Sequence, residues 1–366
     1  MNVSRIHTGR AGRARAATTG GGGMTERRLT VAELTGLVGE ILARAGFGAA
    51  QAAALTEVIV AAERDGCKSH GIYRIEGCLR TLRAGMVDAT AEPALVEDAG
   101  AILRVDGRDG FANAALELGR PLLAERARAL GVAALVINDA THFSALWADV
   151  EPLGEAGLAA LAFCPSYASV APAGGTRPLL GTNPFAFAWP RREGPPYVFD
   201  FATSVAARGE IELHRRAGTP LPPGWAIDAE GQPTTDPEAA LAGAMLPFGG
   251  HKGSALSTMI ELMAGAMIGD LTSPEALERL GTTALAPRHG HLVLAFCPAR
   301  FAAGRPGDPL ARGEALLGAI AGQGARLPSQ RRHAARAEAL ARGIALTAGE
   351  MAQLERLRRL GLEAVA

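Results

Sequence analysis

Residues 132–137, with the sequence VAALVI, form an apolar run of strand length. Five further short apolar-rich runs occupy residues 101–105, 158–163, 185–189, 197–201 and 291–296. Bounded runs of about four to eight such residues indicate β-strands. The six runs together predict one central β-sheet.

Helical periodicity lies between and around these runs. Thr30 and Glu33 have the spacing of a capping box, and apolar residues follow them at helical intervals. Thr347 and Glu350 have the same spacing near the C-terminus. Further helical patterns cover residues 112–130, 253–269 and 333 to the end of the chain. This arrangement of helices and strands predicts a mixed α/β fold.

The composition of the 366 residues limits the class of protein. Because 37 basic and 37 acidic side chains give no net charge, we expect no nucleic-acid partner. The hydrophobic content of 48% is too high for a disordered chain, and no apolar run has the roughly 18 residues of a membrane helix. The cysteines show no CxxC pairing, which predicts reduced thiols in a cytoplasm. They are Cys67, Cys78, Cys164 and Cys297.

Two segments depart from the α/β pattern. Residues 1–23 contain four arginines, no acidic residue and four consecutive glycines before Met24, so we expect a disordered or mis-assigned leader. Residues 215–247 are rich in Pro, Gly, Asp and Thr. They predict a long ordered excursion that either covers a site or is a plain surface insertion.

Lysine is almost absent from the chain. Of the 37 basic residues, only Lys68 and Lys252 are lysines. A lysine ammonium is compact and flexible, whereas an arginine guanidinium is planar. A retained lysine therefore indicates a site whose geometry excludes a guanidinium. Chance is the alternative explanation.

The densest polar cluster is DGCKSHGIYR at residues 65–74. If a helix begins near Ser69, His70 and Arg74 share one of its faces. An imidazole can then deliver or take a proton while the guanidinium holds a substrate carboxylate by two parallel hydrogen bonds. Ser69 could orient the imidazole or relay its proton. The alternative is an N-capping serine followed by an exposed histidine and arginine.

Several glycine-rich segments could bind an anionic group, although neither GxGxxG after a strand nor GxxxxGK[ST] occurs in the core of the chain. Each offers backbone N–H groups, hydroxyls or a cation to a phosphate, and one of them begins a helix. A plain turn is the alternative for each segment. They lie at residues 174–184, 200–204 and 247–254, and the basic loop 326–332 is a further candidate.

Three histidines are candidates for a site. His142 follows the strand that ends near residue 137, where ligand contacts are common, although a histidine satisfied in the core is equally compatible. His289 and His291 have strand spacing, and no carboxylate or thiol lies at ligand spacing along the chain. We therefore expect no metal.

The motifs in their order resemble the malate/L-lactate dehydrogenase family of NAD(P)-dependent oxidoreductases that lack a Rossmann fold. The resemblance covers roughly residues 25 to 340. Its motifs are KSHGxxR at 68–74, HF at 142–143, GTNP at 181–184, DxATS at 200–204, GW at 224–225, PxGGxKG at 247–253 and RxP at 326–328.

The resemblance implies a non-Rossmann α/β architecture. A mixed β-sheet domain, residues 111–299, would bind the cofactor. A helical domain formed from both chain ends, residues 24–110 plus 300–366, would provide substrate binding and dimerisation. It also implies a homodimer whose sites involve both subunits.

The resemblance also implies roles for individual residues. His70 would donate the proton, Ser69 would relay it together with a carboxylate, and Arg74 and Thr182 would bind the substrate carboxylate. The relay carboxylate is placed at Glu210, with Asp65 and Asp200 as competitors. The implied cofactor contacts are His142, Asp200, Phe201, Ala202, His251, Lys252, Arg326, Pro328, Arg331 and Arg332.

Residues 67–74 and 247–256 resemble most the members of this family that reduce cyclic imines. The implied activity is NADPH-dependent reduction of Δ1-pyrroline-2-carboxylate to L-proline and of Δ1-piperideine-2-carboxylate to L-pipecolate, with NADH as the alternative cofactor. A 2-hydroxyacid dehydrogenase is the alternative enzyme. A binding protein without activity is a further class, but it should have lost the proton donor, which this chain retains as His70.

Overall fold

The computed structural model describes residues 26–365, so the predicted leader lies outside the described part. In residues 26–365 the strands are β1 (Arg27–Leu29), β2 (Ala94–Ala99), β3 (Ile102–Asp106), β4 (Val132–Asn138), β5 (Ala159–Phe163), β6 (Phe185–Trp189), β7 (Tyr197–Phe201), β8 (Ala226–Ile227), β9 (Pro233–Thr234), β10 (Ala244–Met245), β11 (His291–Phe296) and β12 (Ile344–Leu346). The helices are α1 (Val31–Arg44), α2 (Ala49–Arg64), α3 (Ile75–Arg83), α4 (Ala112–Leu130), α5 (Trp147–Glu155), α6 (Arg208–Ala217), α7 (Pro237–Ala242), α8 (His251–Ala264), α9 (Ser273–Leu280), α10 (Pro298–Phe301), α11 (Pro309–Gly322), α12 (Gln330–Arg342) and α13 (Ala348–Leu360).

A seven-stranded mixed sheet has the order β2-β3-β4-β11-β5-β6-β7. Its one parallel pair is β3 with β4, which the crossover helix α4 connects, and the other pairs are antiparallel. On the central strand, Val293 lies opposite Leu135 on one side and Ala162 on the other, and all three are buried. The six predicted strands and the mixed α/β class are confirmed.

The edge strand β2 was missed because its sequence, ALVEDA, is partly charged and its residues are mostly exposed. An edge strand has one unpaired side and needs no continuous apolar run. Since β2 pairs with β3, and β3 pairs in parallel with β4, residues 94–106 belong to the sheet. The predicted boundary at residue 110 instead assigns both strands to the helical part.

Helices from the two chain ends share one hydrophobic core. It includes Ile41 of α1, Leu55 of α2, Leu79 of α3 and Leu357 of α13. The short strands β1 and β12 pair antiparallel and join the two ends of the chain. The shared core agrees with the helical part that the resemblance implies.

The helix boundaries follow local signals in the sequence. Both predicted capping boxes form: Thr30 Oγ1 accepts from the Glu33 N–H at 3.1 Å, and Thr347 Oγ1 accepts from the Glu350 N–H at 3.2 Å. The helix predicted at 253–269 begins earlier, at His251, and ends at Ala264 before Gly265. The pattern predicted from residue 333 is two helices, α12 and α13, separated by β12.

The excursion at residues 215–247 is largely ordered. Its strands form a separate small sheet with the order β10-β8-β9, and α7 packs against it. Ile211, Leu221, Ala226 and Met245 are buried together in a core of their own. Within residues 26–365, none of the helices has both the length and the apolarity that crossing a bilayer requires.

Candidate active site

The polar segment at residues 65–74 does not form the helix expected from Ser69. It forms two short 3₁₀ turns, Lys68–His70 and Ile72–Arg74, before α3 begins at Ile75. Gly71, with a ψ of −142°, separates the two turns. The buried carboxylate of Glu63 accepts from the Ile72 N–H at 3.0 Å and so replaces a helical partner of that amide.

The turns nevertheless bring the predicted residues together. Ser69 Oγ lies 3.1 Å from His70 Nδ1, and Arg74 Nε donates to the Ser69 carbonyl at 2.7 Å. The guanidinium carbon of Arg74 also lies 6.0 Å from the centre of the exposed Tyr73 ring. Among residues 26–365, the terminal nitrogens of Arg74 have no hydrogen-bond partner and are available to a carboxylate.

Burial, together with the positive charge of Arg74, lowers the pKa of His70 to about 3. The imidazole is therefore neutral near pH 7 in the chain without ligands. Burial raises the pKa of the Tyr167 phenol, while Arg208 and Arg74 oppose this rise. The positive charge of Arg74 thus affects the pKa values of both the imidazole and the phenol.

The three glycine-rich segments meet through backbone hydrogen bonds. The Thr203 N–H donates to the Thr182 carbonyl at 2.8 Å, and the Phe248 N–H donates to the Thr203 carbonyl at 3.0 Å. The fully buried Asn183 side chain binds Ser257 Oγ at 3.0 Å and Glu261 Oε1 at 2.7 Å, which anchors the Thr182 segment on α8. Segments far apart in sequence therefore form one surface.

The turn before α8 has the shape of an anion cradle. Gly249 and Gly250 have φ values of +57° and +61°, which favour glycine, and a Cβ on Gly253 would meet the Phe248 carbonyl oxygen at 2.1 Å. His251 and Lys252 are exposed in the first helical turn that follows. Free N–H groups, a helix N-terminus and a cation suit a phosphate.

Asp200 lies at the end of β7 beside the N-terminus of α5. Its Oδ2 accepts from the Trp147 N–H at 2.9 Å. Burial raises the pKa of Asp200 to about 7; the Trp147 N–H opposes this rise, and the nearby Asp149 adds to it. Burial also raises the pKa of the Cys67 thiol, and the charge of Asp200 adds to that effect. The charge of Asp200 therefore reaches the end of the segment that precedes Ser69 and His70, and its neighbours Phe201 and Ala202 are exposed and half-buried.

The other two candidate carboxylates have structural partners. Glu210 is exposed, and its Oε2 accepts from the Ala207 N–H at 3.2 Å at the start of α6. In the described part of one chain it has no hydrogen bond with Ser69 or His70, so its role as the relay carboxylate stays a prediction. Asp65 is buried and forms ion pairs with Arg332 and Arg336.

The basic loop at residues 326–332 divides into two parts. Arg326, Pro328 and Arg331 are exposed, and the neighbouring Ser329 Oγ donates to the Val198 carbonyl of β7 at 2.8 Å. The Ser329 hydrogen bond holds this loop against β7, the strand that carries Asp200. Arg332 is instead buried in ion pairs.

Arg332 was expected to contact the cofactor, but its guanidinium is already occupied. It binds Asp65 Oδ2 at 2.9 Å and Glu151 Oε1 at 2.6 Å, and it lies 4.1 Å from the centre of the Trp147 ring. Sequence spacing could not reveal these partners because they come from α5 and the end of α2.

His142 is buried among groups that the sequence keeps apart. Its Nε2 lies 3.8 Å from Asp149 Oδ2, which approaches His291 Nε2 to 3.2 Å, and its Nδ1 lies 3.8 Å from Cys164 Sγ. Spacing along the chain showed no carboxylate or thiol beside these histidines, whereas the fold brings Asp149 and Cys164 close to them. Metal-bound imidazoles usually donate their second N–H, whereas His291 Nδ1 has no partner within residues 26–365. His291 therefore lacks this feature of metal sites, whereas His289 Nδ1 lies 3.0 Å from the Gly290 carbonyl oxygen.

Comparison with known proteins places this geometry in a family. A Δ1-pyrroline-2-carboxylate reductase from Agrobacterium fabrum is 67% identical over 92% of this chain and 98% of its own length. A Δ1-pyrroline-2-carboxylate/Δ1-piperideine-2-carboxylate reductase from Pseudomonas aeruginosa is 54% identical over 87% of this chain and 96% of its own. The crystal structure of Δ1-piperideine-2-carboxylate reductase from Pseudomonas syringae superposes with a TM-score of 0.86 at 41% identity, covering 90% of this chain and 99% of that one.

The fold and these relatives define an oxidoreductase. The sequence profile of the malate/L-lactate dehydrogenase family matches residues 29–355, and the chain belongs to that family. Reductases and dehydrogenases of this kind use a nicotinamide cofactor.

Proposed function

We propose that this oxidoreductase reduces the C=N bond of Δ1-pyrroline-2-carboxylate, giving L-proline, and of Δ1-piperideine-2-carboxylate, giving L-pipecolate. The observation that carries the proposal is the Ser69–His70 pair beside Arg74, whose terminal nitrogens are available to a carboxylate. The names of the most similar relatives indicate the same substrates.

Different residues of the chain bind the substrate, donate the proton and orient the proton donor in this reaction. Arg74, with Thr182, holds the substrate carboxylate and so fixes the imine carbon in the site. His70 gives a proton to the ring nitrogen, and Ser69 orients the imidazole through Nδ1. The nicotinamide, when bound, supplies the hydride. We propose NADPH as the cofactor, with NADH as the alternative.

Cofactor contacts are proposed at the surface formed by the three glycine-rich segments and the adjacent loop. The cradle before α8 suits a phosphate, and exposed cations flank it. The proposed residues are His142, Asp200, Phe201, Ala202, His251, Lys252, Arg326, Pro328 and Arg331. Arg332 is omitted because its guanidinium is buried in ion pairs.

Substrate binding should prepare His70 for its role as proton donor. A carboxylate on Arg74 offsets the positive charge that lowers the pKa of His70, so the pKa rises when the substrate binds. Glu210 stays a proposed relay carboxylate, and Asp200 is a second candidate. Its pKa of about 7 allows it to exchange a proton near neutral pH, and its charge reaches the Cys67 thiol, close to Ser69 in sequence.

The test is a nicotinamide absorbance assay with both cyclic imines, pyruvate and oxaloacetate. The His70→Ala variant should turn over roughly 10²–10⁴ times more slowly than the parent and bind NADPH normally, because a positioned general acid contributes about that much. His214→Ala, in α6 outside the proposed site, is the control. A clear preference of the parent for pyruvate or oxaloacetate would replace the imine assignment by a 2-hydroxyacid dehydrogenase.

We further propose a homodimer in the cytoplasm. Large apolar side chains are exposed at Leu213, Met267, Phe301 and Leu316, which gives a second copy apolar surface to bury. All four cysteines are free, which agrees with a reducing compartment. Light scattering after size-exclusion chromatography would give the mass, and a monomer at the assay concentration would refute the dimer.

A further inference from the structure

Lys68, one of the two lysines of the chain, has no part in the chemistry described so far. It begins the 3₁₀ turn that carries Ser69 and His70. Its ammonium forms an ion pair with Glu63, lies 3.5 Å from Glu350 Oε1 and lies 3.4 Å from the Ala345 carbonyl oxygen. Three acceptors therefore surround one nitrogen that carries three N–H groups.

Glu63 holds the same turn from its buried side. Its side chain is fully buried, with one oxygen toward Lys68 and the other accepting from the Ile72 N–H at 3.0 Å. A Cβ on Gly71 would lie 2.0 Å from Glu63 Oε2, so only glycine leaves room for the carboxylate. Glu63 therefore contacts the residues on both sides of the Ser69–His70 pair.

The contacts of Lys68 explain why arginine does not replace it in this arginine-rich chain. An ammonium can direct three hydrogen bonds to acceptors around a point, whereas a planar guanidinium directs its donors within one plane. The acceptors come from α2, from β12 and from the first turn of α13. A planar guanidinium could bind acceptors in two of these segments only by losing its hydrogen bond to the third.

The same lysine connects the catalytic turn to the C-terminal part of the chain. Glu350 Oε2 accepts from the Thr347 N–H at 2.7 Å and caps α13, while its other oxygen faces Lys68. Burial opposes ionisation of Glu350, but the Thr347 N–H and the Lys68 charge outweigh it and lower the pKa of Glu350. The start of α13 and the turn of His70 therefore share one charged contact.

We propose that Lys68, paired with Glu63 and Glu350, is a positioning residue that holds Ser69 and His70 in the geometry needed to protonate the substrate. The inference rests on the proposed role of His70 as proton donor. Lys68 contacts neither substrate nor cofactor in this assignment and acts through the turn alone.

Loss of the ammonium should loosen the turn because the Glu63 carboxylate would stay buried without its counter-ion. Such a carboxylate must gain a proton or move toward water, and either change disturbs its hydrogen bond with Ile72. His70 would then become more solvated and lie farther from Arg74. Both effects return the pKa of His70 toward its ordinary value.

The test compares Lys68→Met, Lys68→Arg and the double variant Glu63→Gln/Lys68→Met with the parent enzyme in the imine reductase assay. We expect Lys68→Met to lower kcat by about 10- to 100-fold, because small displacements of catalytic groups have effects of that size. KM for NADPH should stay unchanged, and the apparent pKa of the kcat profile should rise. Lys68→Arg should keep the melting temperature of the parent but lose part of kcat.

The double variant distinguishes the positioning role of Lys68 from a general loss of stability. Because it removes both charges, it leaves no uncompensated buried carboxylate and should have a higher kcat than Lys68→Met. Arg358→Met on α13 is the matched control, since it removes a half-exposed cation that pairs with Glu355 at 2.8 Å. Its kcat should equal that of the parent.

The outcomes distinguish this inference from the proposed function. If His70→Ala is inactive and Lys68→Met retains kcat within about threefold of the parent, the positioning role is refuted and His70 keeps its role. A double variant no faster than Lys68→Met, or an unshifted pH profile, also contradicts the positioning role of Lys68. If His70→Ala itself retains full activity, the proposed mechanism fails before Lys68 is considered.

Discussion

Replacing Arg332 by methionine tests whether this residue holds the structure together or contacts the cofactor. The side chain is 7% exposed, and its guanidinium binds the carboxylates of Asp65 and Glu151 over the face of Trp147. Methionine keeps much of the apolar stem but removes the charge. Glu151 then loses one of its two arginine partners, and Asp65 loses one of its three.

The size of the effect follows from these contacts. Removing one partner of a buried ion pair costs about 3–5 kcal/mol, since the remaining charge is uncompensated. Arg336 also binds both carboxylates, with Nε 3.0 Å from Asp65 Oδ1 and Nη2 2.6 Å from Glu151 Oε2, so the lower end applies. For a chain of this length, about 3 kcal/mol corresponds to a decrease in Tm of roughly 4 °C.

Tryptophan fluorescence during thermal unfolding measures the decrease in Tm, and calorimetric titration at a temperature where the variant is folded measures NADPH binding. Arg331→Met is the paired variant, because Arg331 is exposed next to Arg332. We expect it to weaken NADPH binding without changing Tm. An Arg332→Met variant with an unchanged Tm and a lost NADPH site would refute the structural role.

Three further predictions concern single residues of the site. Lys252→Arg should raise the Kd for NADPH in a fluorescence titration, because the bulkier guanidinium should not fit the turn bounded by Gly250 and Gly253; equal Kd values would contradict this. Arg74→Lys should lower kcat/KM for the imines by a factor equivalent to about 1.5–3 kcal/mol, since one parallel hydrogen bond is lost, and an unchanged value would remove Arg74 from substrate binding. Because burial, with Asp149, raises the pKa of Asp200 to about 7, the folded chain holds a proton that the unfolded chain releases near pH 4, and stability falls as pH rises through this window. Denaturation at pH 5 and pH 8 should show a smaller fall for Asp200→Asn, and an equal fall would refute the shift.

Local signals in the sequence determined most of the secondary structure. The strand at residues 132–137 and the capping boxes at Thr30 and Thr347 depend on neighbours within a few positions, so their patterns were sufficient. The motifs at 68–74, 181–184 and 247–253 also pointed to one site, because their residue types suit a carboxylate and a phosphate wherever they meet. The sequence pattern did not predict the edge strand β2, because nothing buries its second side.

Only the tertiary structure decided which charged groups are free to act. Arg331 and Arg332 are adjacent in sequence, yet one is exposed and the other is buried against Glu151 of α5. Glu210 and Asp200 were both candidates for the relay, and the fold exposes the first as a helix cap and leaves the second half-buried beside Trp147. Partners that are distant in sequence determine the burial of Arg332 and the pKa of Asp200, since electrostatic energy depends on distance in space and on desolvation.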